Sequence, residues 1–455
     1  LTVDTRPYHN GGATIVQELS YGLALGNEYL AQLTDAGMKV DDIIPHMHFI
    51  FSTDSNYFME IAKFRAMRMA WANLVSQYEP EYECSNTMYI HAETSDRNKT
   101  IYDPHNNMLR ATTEAMSASI GGAQMITTKP YDEPFKQPDT FSERIARNAQ
   151  IIIKEESYFN KVNDPAAGSY YVEKLTDSLA KAAWDSFKEI EEAGGFQQAL
   201  ENDHIQQKLS ETQERRNQKV ASRKLKYVGT NQYPNDAERA SNKLESYPPH
   251  NVTELDASYE QYDVDADNLI ESLKQAAGEE KTIGSLRGYL LPKGPQLTGS
   301  INGHRDTQNY EQLRLATERH EQKTGERPLV FMLTIGNPKM RKARSTFASN
   351  FFGCAGYAIS DHLGFETVDE AMEAVENEQP DILVICSSDK EYPELVQPIC
   401  EKSRQLSKDP IKVLAGYPKD QIEDHQKAGI ETFIHIKTNV LDALQDFHHK
   451  LGIEF

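Results

Sequence analysis

Six residues, Asn337, Pro338, Lys339, Met340, Arg341 and Lys342, lie between the apolar run Leu329-Val330-Phe331-Met332-Leu333 and the aromatic-rich run FASNFFGC. The first run reads as a strand and the second as part of a helix. The six residues therefore form a strand-to-helix turn of an α/β fold. Such turns present free backbone N–H groups at the carboxyl ends of parallel strands and collect anions or cofactors there. Lys339, Arg341, Lys342 and Arg344 add a basic cluster, suited to a phosphate or an acidic partner surface, or else a solvated helix start. FASNFFGC itself reads as a packing face. The four cysteines, Cys84, Cys354, Cys386 and Cys400, show neither a CxxC pair nor a disulfide-framework spacing. That pattern fits a reducing compartment and predicts no metal cluster.

The elements that must position these residues alternate regularly. From Leu1 to about Leu200, strand-like LTVDTRPY, HMHFIFS, TMYIHAET and AQMITT each precede a helical segment, and so predict four βα units with parallel strands. A barrel of this kind closes at eight strands, so four units read as half of one, with the other strands in an N-terminal portion outside the numbered chain. An open half is expected to leave an apolar face and two strand edges bare. A small open sheet is the alternative. A helical tract from Thr176 to about Ser222 and a polar, Pro-containing stretch follow, with further helices at Asn268 to Ala277 and Asn309 to Gln322. From Arg327 onward, five more strands alternate with helices, the pattern of a flavodoxin-like doubly wound domain. The expected domains are 1–175, 176–326 and 327–455.

The 455 residues carry 48 Lys+Arg against 69 Asp+Glu, a net charge of −21, which argues against nucleic-acid and anionic-membrane partners. No apolar run reaches the ~18 residues of a membrane span, and no leader pattern is visible, so the expected location is cytoplasmic.

Several ordered segments carry a resemblance. YHNGGATIVQELSYGLALGNEYL, FMEIAKFRAMRMAWANLVSQYEP, HAETS, DPHNNMLRATTEAM, SERIARNAQIIIKEES and NDPAAGSYYVEKLT all resemble methylmalonyl-CoA mutase, and the last domain resembles the cobalamin-binding domain of that family. The resemblance implies the C-terminal half of a (β/α)8 TIM-type barrel, a helical linker and a flavodoxin-like cobalamin-binding-type domain. It also implies Asp-x-His-x-x-Gly after the first strand of that domain, with the His as lower cobalt ligand. Here those three positions hold Asn337, Lys339 and Lys342. The family's Ser-x-Leu corresponds to Ser387-Ser388-Asp389, where Asp389 is expected to intrude on the pocket for the nucleotide tail, and its Gly-Gly to Ala415-Gly416. These are read as vestigial cobalamin-loop positions.

In the barrel, the family's substrate-contacting His aligns with Pro7, with His9 two residues on. A neutral amide becomes Glu93, an apolar tail becomes Asp96-Arg97, and His91 is retained. Unmatched charge is expected to spoil a cavity that protects radicals. The resemblance is thus to the small subunit of the heterodimeric mutases. This implies a chain without catalytic, cofactor-binding or metal residues of its own, paired with a large catalytic subunit that holds adenosylcobalamin and interconverts (R)-methylmalonyl-CoA and succinyl-CoA. Two other readings stay open: a competent acyl-CoA mutase binding cobalamin without the lower histidine, and a binding module for another ligand or a metallochaperone.

Overall fold

The computed structural model describes residues 1–244, 268–279 and 301–454. Two parallel sheets follow one another along the chain. The first is built in sequential order from β1 (Thr2–Asp4), β2 (His48–Thr53), β3 (Ile90–Thr94) and β4 (Met125–Thr127). Parallel neighbours need crossovers, and helices Ile15–Asp35, Tyr57–Ser76 and Asn106–Ile120 supply them, while Thr140–Glu155 follows β4. Local signals start two of these helices. Thr14 and Gln17 form a capping box on the first, and the Asp139 carboxylate accepts the Phe141 and Ser142 N–H groups on the last. The four βα units expected from the alternation are these.

The two faces of this sheet differ. Val3, Phe49, Phe51, Ile90 and Ala92 point into one apolar core with the crossover helices. The opposite face was expected to be apolar and bare, and it is mostly polar, Ile50 and Met125 excepted. Asp4, His91, Glu93 and Thr127 alternate with the core residues there. Arg6 bridges Asp4 and Glu93, each at 2.8 Å, and Lys129 reaches Glu93 at 3.0 Å. Alternation along the strands sets this division, because successive side chains leave opposite faces.

Helix Tyr170–Glu192 packs across Ile15–Asp35 and Tyr57–Ser76, and Gly195–Glu201 and His204–Ala221 continue the helical tract. The helices expected in the middle region are Leu269–Gly278 and Gln308–Thr324. The remainder of the expected linker, 245–267 and 280–300, lies outside the described residues.

The second sheet contains β5 (Leu329–Thr334), β6 (Ala358–Asp361), β7 (Ile382–Cys386), β8 (Ile411–Ala415) and β9 (Thr432–Ile434) in the order β6-β5-β7-β8-β9, all parallel. Val330 and Met332 pack with Phe351, Phe352, Leu444 and Phe447 on one face. Phe331 and Leu333 pack with Met372, Val375, Val396 and Ile399 on the other. Burial on both faces explains the unbroken apolar run in β5. FASNFFGC does supply a packing face, through Phe351, Phe352 and Cys354. The connection out of β5 runs to β6 on one side and the connection out of β7 runs to β8 on the other, so a crevice falls outside the carboxyl ends of β5 and β7.

Helix Gln308–Thr324 joins the two sheets. Its Tyr310 hydroxyl donates to the Ala221 carbonyl at 2.8 Å and its Thr317 hydroxyl to the Ala355 carbonyl at 2.6 Å. Glu318 accepts from the Tyr102 hydroxyl at 2.8 Å, and the Arg314 guanidinium lies 4.2 Å from the centre of the Tyr102 ring.

Packing in the first core is tight around Trp71, which is fully buried edge-on to Phe49 at 4.7 Å. A Cβ on Gly26 would lie 2.7 Å from its ring. Trp71→Ala is expected to lower stability by about 3–5 kcal/mol, measured by urea denaturation followed by far-UV circular dichroism. Leu363→Ala, at a side chain 98 % exposed, should stay within about 0.5 kcal/mol.

Candidate functional site

The crevice at the ends of β5 and β7 is bounded by the turn that drew attention in the sequence. Gly336 takes a positive φ of 81°, and Asn337 caps helix Pro338–Gly353. The Asn337 side-chain oxygen accepts the N–H groups of Lys339 and Met340, both at 3.1 Å. The backbone N–H groups left over at this end face Glu391. Its carboxylate accepts from Asn337 N–H at 3.0 Å, Ser388 N–H at 3.2 Å, Ser387 Oγ at 2.8 Å and Ser388 Oγ at 2.5 Å. These donors, the Ser388 hydroxyl foremost, hold the Glu391 carboxyl down at about 2. A Cβ on Gly336 would come within 2.7 Å of both that carboxylate and Ser387 Oγ, so glycine is required there on two counts.

Beside it, Tyr392 is fully buried. Its hydroxyl donates to the Ala415 carbonyl at 2.7 Å and accepts the Ser387 N–H at 3.2 Å. Burial raises the Tyr392 hydroxyl above its ordinary range. Two side chains of the chain itself, the half-buried Glu391 and the buried Tyr392, therefore engage the polar groups at the carboxyl ends of β5, β7 and β8. Neither Glu391 nor Tyr392 was singled out in the sequence. The available signal was an acid and a tyrosine opening a helix four and five residues after Ser387.

The basic cluster at the turn disperses. Lys342 pairs with Asp361 at 3.0 Å, Arg344 with Asp389 at 2.9 Å, and Arg341 donates to the Gly336 carbonyl at 3.3 Å, while Lys339 is exposed. Asp389, expected to intrude on the pocket for the nucleotide tail, lies at the carboxyl end of β7 beside Gly416. Its side chain is 51 % exposed, pairs with Arg344 and hangs over Gly416. A lower cobalt ligand needs a nitrogen lone pair and a carboxylate behind it. Asn337 has committed its amide oxygen to capping, Lys339 offers an ammonium, and Lys342 is ion-paired. These residues do not fit the lower side of a corrin cofactor.

At the strand ends of the first sheet, Pro7 is exposed on the short helix Arg6–Asn10 and His9 is buried. His9 Nε2 lies 2.8 Å from Ser95 Oγ, and Nδ1 lies 3.6 Å from Glu18. Burial, reinforced by Arg97, holds the imidazole below its ordinary value and hence neutral. His91 meets Thr127 Oγ1 at 2.8 Å. Glu93 and Arg97 were expected to be unmatched charges, and both are matched. Glu93 sits between Arg6 and Lys129. Arg97 donates to Asp54 at 2.7 Å and to the carbonyls of His9 and Ala13 at 2.9 and 3.0 Å. Behind them runs a buried network that the sequence did not signal: Glu18 with Lys63 at 3.2 Å, and Arg216 with Asp306 at 2.7 Å. Its members are far apart along the chain, so no local spacing betrays them. Among the described residues no group of three or more His, Cys, Asp or Glu could hold a metal ion, and no helix is long and apolar enough to cross a membrane.

Glu391→Gln should destabilise the chain at neutral pH. The carboxyl is depressed in the folded state, so its contribution is present above the ordinary 4.5 and fades as pH falls toward about 2. The gap in denaturation midpoint between wild type and variant is therefore expected to narrow through that window, followed by circular dichroism.

Residues 1–283 match the methylmalonyl-CoA mutase family. The chain is 42 % identical over 454 residues to the methylmalonyl-CoA mutase small subunit of Porphyromonas gingivalis, covering 100 % of this chain and 66 % of that protein. It is 33 % identical to the small subunit of Streptomyces virginiae, covering 98 % of this chain and 64 % of the relative. Similarity also extends to the Escherichia coli methylmalonyl-CoA mutase, 30 % identical over 98 % of this chain and 67 % of that protein. The chain thus spans slightly less than two thirds of the length of these small subunits. With the family match and the small-subunit relatives agreeing over the same residues, the chain belongs to the methylmalonyl-CoA mutase family.

Proposed function

We propose that this chain acts as the non-catalytic small subunit of an adenosylcobalamin-dependent methylmalonyl-CoA mutase, supporting a large catalytic partner in a heterodimer. The observation that carries this reading is the crevice of the second sheet, where Glu391 and Tyr392 engage the strand-end polar groups and Lys339 offers no lone pair. The names of the small-subunit relatives support the pairing. In this reading residues 1–175 are the second half of a (β/α)8 barrel and 176–326 a linker region. Residues 327–455 form a degenerate flavodoxin-like domain, for which the strand order β6-β5-β7-β8-β9 speaks. The vestigial positions are Asn337, Lys339, Lys342, Ser387, Asp389 and Gly416.

Adenosylcobalamin, held by the partner, would supply the radical that rearranges the carbon skeleton of (R)-methylmalonyl-CoA to succinyl-CoA. This chain's residues take no step in that chemistry. What they do is saturate and neutralise. Glu391 saturates the N–H groups that would meet a ligand, His9 stays neutral against Ser95, and Arg6 and Lys129 neutralise Glu93. The contribution of the chain is a rigid surface whose binding stabilises the complex. The compartment of this reading is the cytoplasm.

Mixed with adenosylcobalamin at micromolar concentration and passed through gel filtration, the chain should elute without a corrin spectrum. In a complex with the large subunit the corrin should elute with the pair and remain with the large chain after dissociation. Restoring the ligand set with Asn337→Asp, Lys339→His and Lys342→Gly should still give no conversion of methylmalonyl-CoA to succinyl-CoA without the partner, because Glu391 and Tyr392 still engage the polar groups at the strand ends. Corrin retained by the isolated wild-type chain, or turnover by the triple variant alone, would sink the reading.

A further inference from the structure

Away from the second-sheet crevice, a groove opens where helix His204–Ala221 crosses the starts of helices Ile15–Asp35 and Tyr57–Ser76. One end is a cavity of about 720 Å³, lined by Asn56, Arg97, Arg215, Arg216 and Lys219 among others. The next, of about 340 Å³, is lined by Leu109, Arg110, Leu225, Lys226, Tyr227 and Val228. Both are lined by Ser55, Arg216 and Leu225, so the two cavities adjoin along one groove wall. Each volume lies in the roughly 300–1,000 Å³ range of small-molecule sites.

Charge is distributed unevenly over its wall. The lining holds Arg97, Arg110, Arg215, Arg216, Lys219 and Lys226 against Asp54 and Glu60 alone. Both acids are already engaged, Asp54 by Arg97 at 2.7 Å and Glu60 by Lys63 at 2.6 Å. Arg216 is likewise spent on Asp306 at 2.7 Å. The others are not. Arg215 donates only to the Glu211 carbonyl and Thr212 Oγ1, and Arg110 only to Thr100, Asn107 and the Val228 carbonyl. Among the described residues the Lys219 and Lys226 side chains have no ion-pair partner. Four uncompensated cations line one groove of a chain whose net charge is −21, so the positive field there is not a reflection of composition. Asn56, at the start of helix Tyr57–Ser76, also lines the cavity and makes no side-chain cap there. Toward the second cavity the lining becomes apolar through Leu109, Leu225 and Val228.

We propose that this groove binds a small phosphate ester, its phosphate at the Arg215–Lys219 end and its apolar arm along Leu109, Leu225 and Val228. Guanidinium and ammonium groups without carboxylate partners are the donors that phosphate oxygens engage. Arg215 and Lys219 stand one helical turn apart on the same face, so both can reach one phosphate. The proposal concerns a different face from the crevice and does not depend on the subunit reading. It would stand or fall with the chain's cobalamin behaviour unchanged.

The test is isothermal titration of the full chain at fixed ionic strength with hexyl phosphate and, separately, inorganic phosphate. Hexyl phosphate should bind the more tightly of the two. Arg215→Gln with Lys219→Gln should weaken it by about tenfold or more, as expected for lost charge-assisted hydrogen bonds. Val228→Asp, at a side chain 48 % exposed, should erase the advantage of hexyl over inorganic phosphate. Lys208→Gln, an exposed change on the same helix outside the groove, should leave binding as it is. The proposal is overturned if hexyl phosphate gives no saturable heat, or if the two probes bind equally to wild type. Equal losses in the double variant and in Lys208→Gln would overturn it as well.

Discussion

A buried chain of alternating charge, Arg97 to Asp54 and Arg216 to Asp306, is the interaction on which the placement of everything else depends. Arg216 also approaches Asp54 at 3.5 Å, and the Tyr227 hydroxyl donates to Asp306. Each charge removed from water needs a partner of opposite sign, and removing one member strands the next. The chain therefore holds four separate segments in one geometry: the loops after β2 and β3, helix His204–Ala221, and the lead into helix Gln308–Thr324. That last helix carries the second sheet. Further directional contacts reinforce the junction, among them Ile101 N–H to Glu311 and the Tyr102 hydroxyl to Glu318.

The same logic explains what has become of the strand ends. In both sheets the carboxyl ends present backbone N–H groups and polar side chains, as parallel α/β sheets do. In the second sheet Glu391 consumes those donors, and in the first Glu93, Arg6 and Lys129 consume one another. Ligand sites require donors left unsatisfied until the ligand arrives. Here satisfaction is internal, which stabilises the fold. His9 illustrates the point: close to a former contact position, yet neutral and engaged with Ser95.

The groove along helix His204–Ala221 differs in this respect, because Arg215 and Lys219 remain without carboxylates beside a helix start that lacks a side-chain cap. This cationic surface is formed jointly by the helical tract and by the segments that follow β2 and β3, through Ser55, Asn56, Arg97 and Asn98.

Periodicity and turn chemistry by themselves determined the strands, the helices and their parallel alternation, because these depend on near neighbours in the chain, such as the run Leu329–Leu333 and the caps at Thr14 and Asp139, while the ordered mutase-like segments carried the resemblance to the family. The losses at Asn337, Lys339 and Lys342 were equally legible, since a cobalt ligand is a matter of residue type. Only the tertiary structure decided which charges are matched. Glu93 and Arg97 looked unmatched because Arg6, Asp54 and Lys129 lie 87, 43 and 36 residues away along the chain. It also decided that Glu391 and Tyr392 engage the polar groups at the strand ends while Asp389 pairs with Arg344, and that the open sheet face is mostly polar, Ile50 and Met125 excepted. Electrostatic neutralisation and the filling of space act through distance in three dimensions, and sequence spacing carries no record of that distance.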